Sequence, residues 1–123
     1  MTQEEKKDLL LKDICSRLPY NPAVEYKGDV YNILGISHGR LVLCKPFMSY
    51  TLNESPLIEE VKPYLFPLSS MTEEQEKEEY EICKGYIIGY ESKLIDFYNK
   101  NHIDYRGLIQ MGLVNDATGL NIY

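Results

Sequence analysis

The sequence predicts a single α+β domain spanning residues 1–123, and three observations carry that prediction. A capped, amphipathic helical pattern opens the chain. Three short runs rich in β-formers follow, separated by glycine turns. A second capped helix then begins after a proline-rich stretch. The expected architecture is a small antiparallel β-meander packed against the N-terminal helix, with a C-terminal helical half. One hundred and twenty-three residues can bury a sizeable core without metals or disulfides.

The first helix begins at Thr2-Gln3-Glu4-Glu5, a hydroxyl at the cap with glutamate three residues on. Leu10, Ile14 and Leu18 recur every four residues, with Leu11 and Cys15 beside them. That places an apolar stripe on one face, and Cys15 is expected to be buried in it. Pro19 and Pro22 stop the helix.

Residues 23–45 read as the meander. Val24 and Tyr26 lead into the turn Lys27-Gly28-Asp29, and Val30 to Ile36 is β-rich. Ser37-His38-Gly39-Arg40 turns the chain into Leu41-Val42-Leu43-Cys44. Connections this short make neighbouring strands antiparallel. Four consecutive apolar residues in the third strand suit a strand covered on both faces, and Cys44 belongs to that run.

The next stretch is less regular. Tyr50 to Pro56 reads as a loop, and Leu57 to Val61 as a helical turn or a strand. Pro63 and Pro67 keep Lys62 to Pro67 extended or turn-like. Thr72-Glu73-Glu74-Gln75 is a second capping box. Tyr80, Cys83 and Ile87 continue at helical spacing, with Tyr86, Ile88 and Tyr90 widening the stripe. Gly85 and Gly89 weaken that helix near its end. Ser92 can cap a further helix that turns Leu94, Ile95 and Tyr98 inward. Asp104 can cap a last short helix through Leu108 and Ile109, ending near Gly112.

Composition bounds the function. An apolar fraction of 44% and a charged fraction of 26% are those of an ordinary folded protein. No apolar run approaches the roughly 18 residues of a membrane span, and the acidic start is not a secretory signal. Three separated cysteines without a paired spacing argue for reduced thiols and a cytoplasmic protein. With two histidines and no His-x-x-x-His, neither a metal site nor a cofactor is expected. Gly85, Gly89, Gly107 and Gly112 build no phosphate-cradling loop, and no Gly-x-Ser-x-Gly elbow occurs.

Charge is placed unevenly. Glu73, Glu74, Glu76, Glu78, Glu79 and Glu81 surround one lysine, Lys77, giving −5 within ten residues of a chain whose net charge is −6. The protein is otherwise close to neutral, so binding to a nucleic-acid backbone, which needs clustered Lys and Arg, is not expected. The stripe reads first as a solvated helix face and second as a surface for a basic protein partner. Eleven tyrosines and no tryptophan supply most of the aromatic area; they read as core rim or as interface anchors.

Asn101 to Ile109 is the densest run of polar chemistry. His102 with a carboxylate partner is a candidate for acid–base work, and Arg106 for holding a phosphate or carboxylate. The structural reading competes. His102, partly positive, ends one helix; Asp104 caps the next; Arg106 pairs with an acid, for instance on the Glu-rich helix. Tyr105 and Arg106 either lock the turn or face a partner.

Two segments carry a family resemblance. Lys62-Pro63-Tyr64-Leu65-Phe66-Pro67-Leu68-Ser69-Ser70-Met71-Thr72-Glu73-Glu74 is one. His102-Ile103-Asp104-Tyr105-Arg106-Gly107-Leu108-Ile109, followed by Met111-Gly112-Leu113, is the other. Together they resemble small uncharacterised proteins of gut Bacteroidetes, often in prophage or phage-like neighbourhoods. The resemblance covers residues 62–82 and 94–114 well and the N-terminal helix weakly. It implies a bacterial or phage-derived cytoplasmic origin and transfers no catalytic residue.

The leading expectation is a non-enzymatic protein-interaction or regulatory protein of a mobile element. Its binding candidates are Glu74, Glu78, Tyr86, Tyr90, His102, Asp104, Tyr105 and Arg106. One alternative is a ligand-binding protein or enzyme with a concave pocket lined by His102 and Arg106. Another is a minor phage structural component. No feature of the sequence sets an oligomeric state.

Overall fold

The computed structural model describes residues 1–46, 51–84 and 89–123. Helix α1 runs Gln3–Arg17, with the Thr2 hydroxyl accepting the Glu5 N–H at 3.1 Å. A 310 turn, Leu18–Tyr20, carries Pro19 and ends at Asn21, whose φ of 58° reverses the chain. Leu10 and Ile14 are buried, as their spacing requires. The rest of the buried stripe is Asp13 and Arg17, so Cys15 falls on the outer side and is exposed, contrary to expectation.

The meander forms as predicted: β1 Ala23–Tyr26, β2 Asp29–Ser37 and β3 Arg40–Cys44 pair antiparallel in sequence order. Both hairpins turn on two residues with positive φ: Lys27 and Gly28, then His38 and Gly39. That pairing of φ values matches the right-handed twist of the flanking strands. A bulge between Ile33 and Gly35 leaves Leu34 unpaired and 56% exposed.

Leu57 to Val61 resolves as a 310 turn over Ile58–Glu60. The proline-flanked stretch becomes β4, Lys62–Pro67, and joins the sheet beside β1. Pro63 has no N–H to donate, and the β1 ladder ends there. Beyond it β4 pairs in parallel with β6, Asn115–Asp116, and with β5, Ile103–Asp104. The sheet order is β3-β2-β1-β4-β5, with β6 also on β4.

Alternation divides the sheet into two faces. Val24, Tyr26, Tyr31, Ile33, Leu41, Leu43 and Leu65 form the main core with Leu10 and Ile14 of α1 and with Leu108 and Val114. Each such aliphatic residue contributes about 1.5–3 kcal/mol by leaving water. A smaller cluster of Ala23, Tyr64 and Ala117 gathers Val30, Phe66 and Ile122 around it. The tail, Asn115 to Tyr123, is rich in turns, and Ala117 and Ile122 pack it on the sheet.

Helix α2, Glu73–Cys83, has the full capping box: Thr72 Oγ1 accepts the Gln75 N–H, and Gln75 Oε1 accepts the Thr72 N–H. Helix α3, Tyr90–Lys100, starts from Gly89 at φ 92°, not from a Ser92 cap. Its buried residues are Phe97 and Asn99; Leu94 and Tyr98 are half-buried, and Ile95 is exposed. Glu79 meets Tyr98 and Gln75 meets Asn101, so the two helices run antiparallel. The expected last helix after Asp104 is replaced by β5 and a series of turns, because Ile103 and Asp104 pair with Phe66 and Pro67. Gly107 and Gly112, both at positive φ, would interrupt a helix there. No helix among the described residues is long and apolar enough to cross a membrane.

Candidate functional site

Two regions hold the residues singled out by the sequence. The first is the outer surface of α2. Helical spacing turns Gln75, Glu79 and Ile82 toward α3. The Glu79 carboxylate accepts the Tyr98 hydroxyl at 2.6 Å, and burial together with that bond raises the Tyr98 pKa. Glu74 and Glu78 are exposed one turn apart. Tyr80, expected on an inward stripe, is 66% exposed on the side away from α3. Its neighbours one helical turn away are Glu76 and Lys77 before it and Cys83 and Lys84 after it, while Glu74 and Glu78 lie on another side of the helix. Of α2's eleven residues none is buried. Tyr90 is the first residue of α3 and half-buried, while Tyr86 lies outside the described residues.

The second region is the turn from Asn101 to Ile109, and it is built around α1. Asp13 and Arg17, one helical turn apart, are both fully buried. Asp13 Oδ2 accepts from Arg17 Nε at 2.9 Å and Oδ1 from Arg17 Nη2 at 3.1 Å. Arg17 also donates to the Ile103 carbonyl at 2.8 Å. Arg106 then donates through Nη1 to Asp13 Oδ1 at 2.7 Å. The acid that Arg106 meets is thus on α1, not on the Glu-rich helix. Tyr105 lies against both guanidiniums, its ring centre 5.3 Å from Arg17 Cζ and 4.6 Å from Arg106 Cζ. Tyr98 stacks on Tyr105 with ring centres 5.5 Å apart. Tyr105 therefore locks the turn from inside.

Asp104 is buried, and its two oxygens accept the Leu108 and Ile109 N–H groups, each at 2.9 Å. That is the chemistry of a helix cap applied to a turn. His102 leaves α3 at φ 58°, in the left-handed region, and its ring stacks on Tyr123 with centres 3.5 Å apart. Burial, helped by the charge of Arg17, lowers its pKa from 6.5 to about 4. His102 is therefore neutral at neutral pH, correcting the partly positive imidazole expected at the helix end.

The structure does not bring His102 and Arg106 into one pocket. Arg106 borders a cleft of about 690 Å³ with Leu68, Ser69, Tyr105, Gln110 and Asp116. His102 borders a different cleft, of about 320 Å³, with Tyr20, Asn32, Ile122 and Tyr123. Its Nδ1 is sealed from solvent without a hydrogen-bond partner among the described residues, so no substrate reaches that atom. The two-residue strand β5 separates the histidine from the arginine.

Sequence reasoning missed Asp13, Arg17, Tyr80 and Tyr123. The first two were visible in principle: Leu10, Asp13, Ile14 and Arg17 share a helical face, and polar members of a buried face need partners. Tyr123 had no local signal; its role depends on the tail folding back, where its hydroxyl donates to the Tyr64 carbonyl and accepts the Ala23 N–H.

Fold and site together define an α+β protein with a charged cluster packed between α1 and a polar turn, and an acidic helix held outside the core. No protein-family model, curated protein or solved structure matches the chain.

Proposed function

We propose that the protein is a non-enzymatic interaction or regulatory protein whose contact surface is the outer face of α2. One observation carries the reading: an eleven-residue helix with no buried residue stands beside a well-packed sheet. Such a helix adds nothing to the core through its outer face. Glu74 and Glu78, like charges four residues apart, oppose its formation by a few tenths of a kcal/mol. Tyr80, on another side of the helix from Glu74 and Glu78 and one turn from Glu76 and Lys77, adds a large aromatic surface with a polar tip. The surface suits a protein partner that offers basic residues around an apolar slot, with charge speeding the encounter.

We further read the protein as cytoplasmic and as belonging to a mobile element. Support comes from three free thiols and from the resemblance over residues 62–82 and 94–114. The His102–Arg106 enzyme reading is not favoured, because those side chains border separate clefts and Arg106 is already bound to Asp13.

The test is capture of a partner by tagged protein in extracts of its native host, with the variant Glu74→Gln/Glu78→Gln/Tyr80→Ala run in parallel. A partner bound by the wild type and lost by the variant supports the proposal. Equal capture by both proteins removes α2 as the contact surface.

A further inference from the structure

We propose that the cleft bordered by Arg106 binds a small organic monocarboxylate with an apolar body. The case begins with two guanidiniums on one buried carboxylate. Asp13 carries one negative charge, is fully buried, and holds two guanidiniums. Arg17 takes both of its oxygens and directs further donors to the Ile103 and Tyr98 carbonyls at 2.8 and 3.5 Å. Arg106 uses only Nη1 among the described residues. Its side chain is 17% exposed, and the cleft is what it is exposed to. Its remaining nitrogens reach the solvent of the cleft, where an anion that replaces this water gains charge-assisted hydrogen bonds.

The geometry suits a carboxylate. Asp13 fixes Nη1 and the Tyr105 ring covers one face at 4.6 Å, so the guanidinium is held before any ligand arrives. Two donors, Nε and Nη2, remain as a planar fork, which matches the two oxygens of a carboxylate. Pre-orientation of this kind lowers the entropic cost of binding.

The surroundings select among anions. Asp104 and Asp116 also border the cleft. Asp104 is committed to the Leu108 and Ile109 N–H groups, and Asp116 to the Thr118 N–H and hydroxyl. Their carboxylates repel a dianion more than a monoanion. Leu68, 45% exposed, and the half-buried Pro67 and Ile109 give the cleft an apolar wall. A hydrocarbon body would cover that wall while the carboxylate meets Arg106.

The experiment is a ¹⁵N NMR titration of the whole chain, following the Arg106 Nε–H signal and the amides of residues 107–110. The probes are isovalerate, acetate and inorganic phosphate, each added to tens of millimolar at constant ionic strength. The expected result is saturable shifts with isovalerate, weaker binding of acetate and weaker still of phosphate. Arg106→Gln should abolish the shifts, while Arg17 remains on Asp13 and keeps the fold. Arg106→Lys keeps the charge but loses the fork, and should weaken isovalerate by ~10-fold; it decides the matter if the Gln variant does not fold. Absence of saturable shifts in the wild type overturns the proposal, as do unchanged shifts in either variant. Phosphate binding as tightly as isovalerate overturns the monocarboxylate assignment.

Discussion

Arg106 donates to Asp13 at 2.7 Å, across 93 residues of sequence, on a carboxylate that Arg17 already holds through two bonds. This contact pins the polar turn to α1. The two arginines are unequal partners. Arg17 is 1% exposed and shares both oxygens, whereas Arg106 sits at the edge of a cleft. Asp13→Asn leaves two guanidiniums around a neutral amide and should cost about 3–5 kcal/mol. Arg106→Gln leaves the Asp13–Arg17 pair intact and should cost only about 1 kcal/mol. Urea unfolding midpoints of the two variants check the difference; equal losses would show that the arginines are equivalent.

Much of the fold was legible because local rules agreed with the tertiary outcome. The α1 cap, the two glycine hairpins and the Thr72 capping box all form where turn and cap chemistry put them. The misses share a cause: each depends on a partner far away in sequence. Ile103 and Asp104 form a strand only because Phe66 and Pro67 offer an edge. Cys15 is exposed because burial on α1 follows Asp13 and Arg17, whose value lies in the turn near residue 105. The candidate site split for the same reason. His102 is held by Tyr123 from the C-terminal tail and Arg106 by Asp13 from the N-terminal helix.

The tail is tied down by one hydroxyl. Tyr123 donates to the Tyr64 carbonyl at 2.8 Å and accepts from the Ala23 N–H at 2.9 Å, joining β1, β4 and the chain's last residue. Tyr123→Phe keeps the ring against His102 but leaves both backbone groups unmet, a loss of about 1 kcal/mol. Hydrogen exchange at the Ala23 amide should speed up in this variant. Unchanged protection would mean that the latch holds nothing.

His102 makes stability depend on pH in a defined window. Its folded pKa, lowered to about 4, lies below the unfolded value of 6.5. Above 6.5 both states are neutral and stability is full. As pH falls from 6.5 toward 4 the unfolded chain takes a proton that the folded chain refuses, so stability is lost across that window. His102→Asn, which tolerates the left-handed φ of 58°, removes the titration. Melting temperatures should fall more steeply for the wild type than for the variant across that window. Parallel curves would exclude His102 as a source.

On α2, stability and function should separate. Thr72→Ala removes the cap that accepts the Gln75 N–H and should cost ~1 kcal/mol. Glu74→Gln with Glu78→Gln changes only exposed positions and should stay within about 0.5 kcal/mol of wild type, with any gain coming from relieved repulsion. Thermal melts of both variants check this; a large loss in the glutamine pair would give those acids a structural role.

The most direct test of the interaction reading is partner capture from host extract by the wild type and by Glu74→Gln/Glu78→Gln/Tyr80→Ala, compared at matched melting temperature. The account predicts a partner that the wild type retains, that added salt weakens, and that the variant loses. A partner retained equally by both proteins, or none captured across growth and infection conditions, would contradict it.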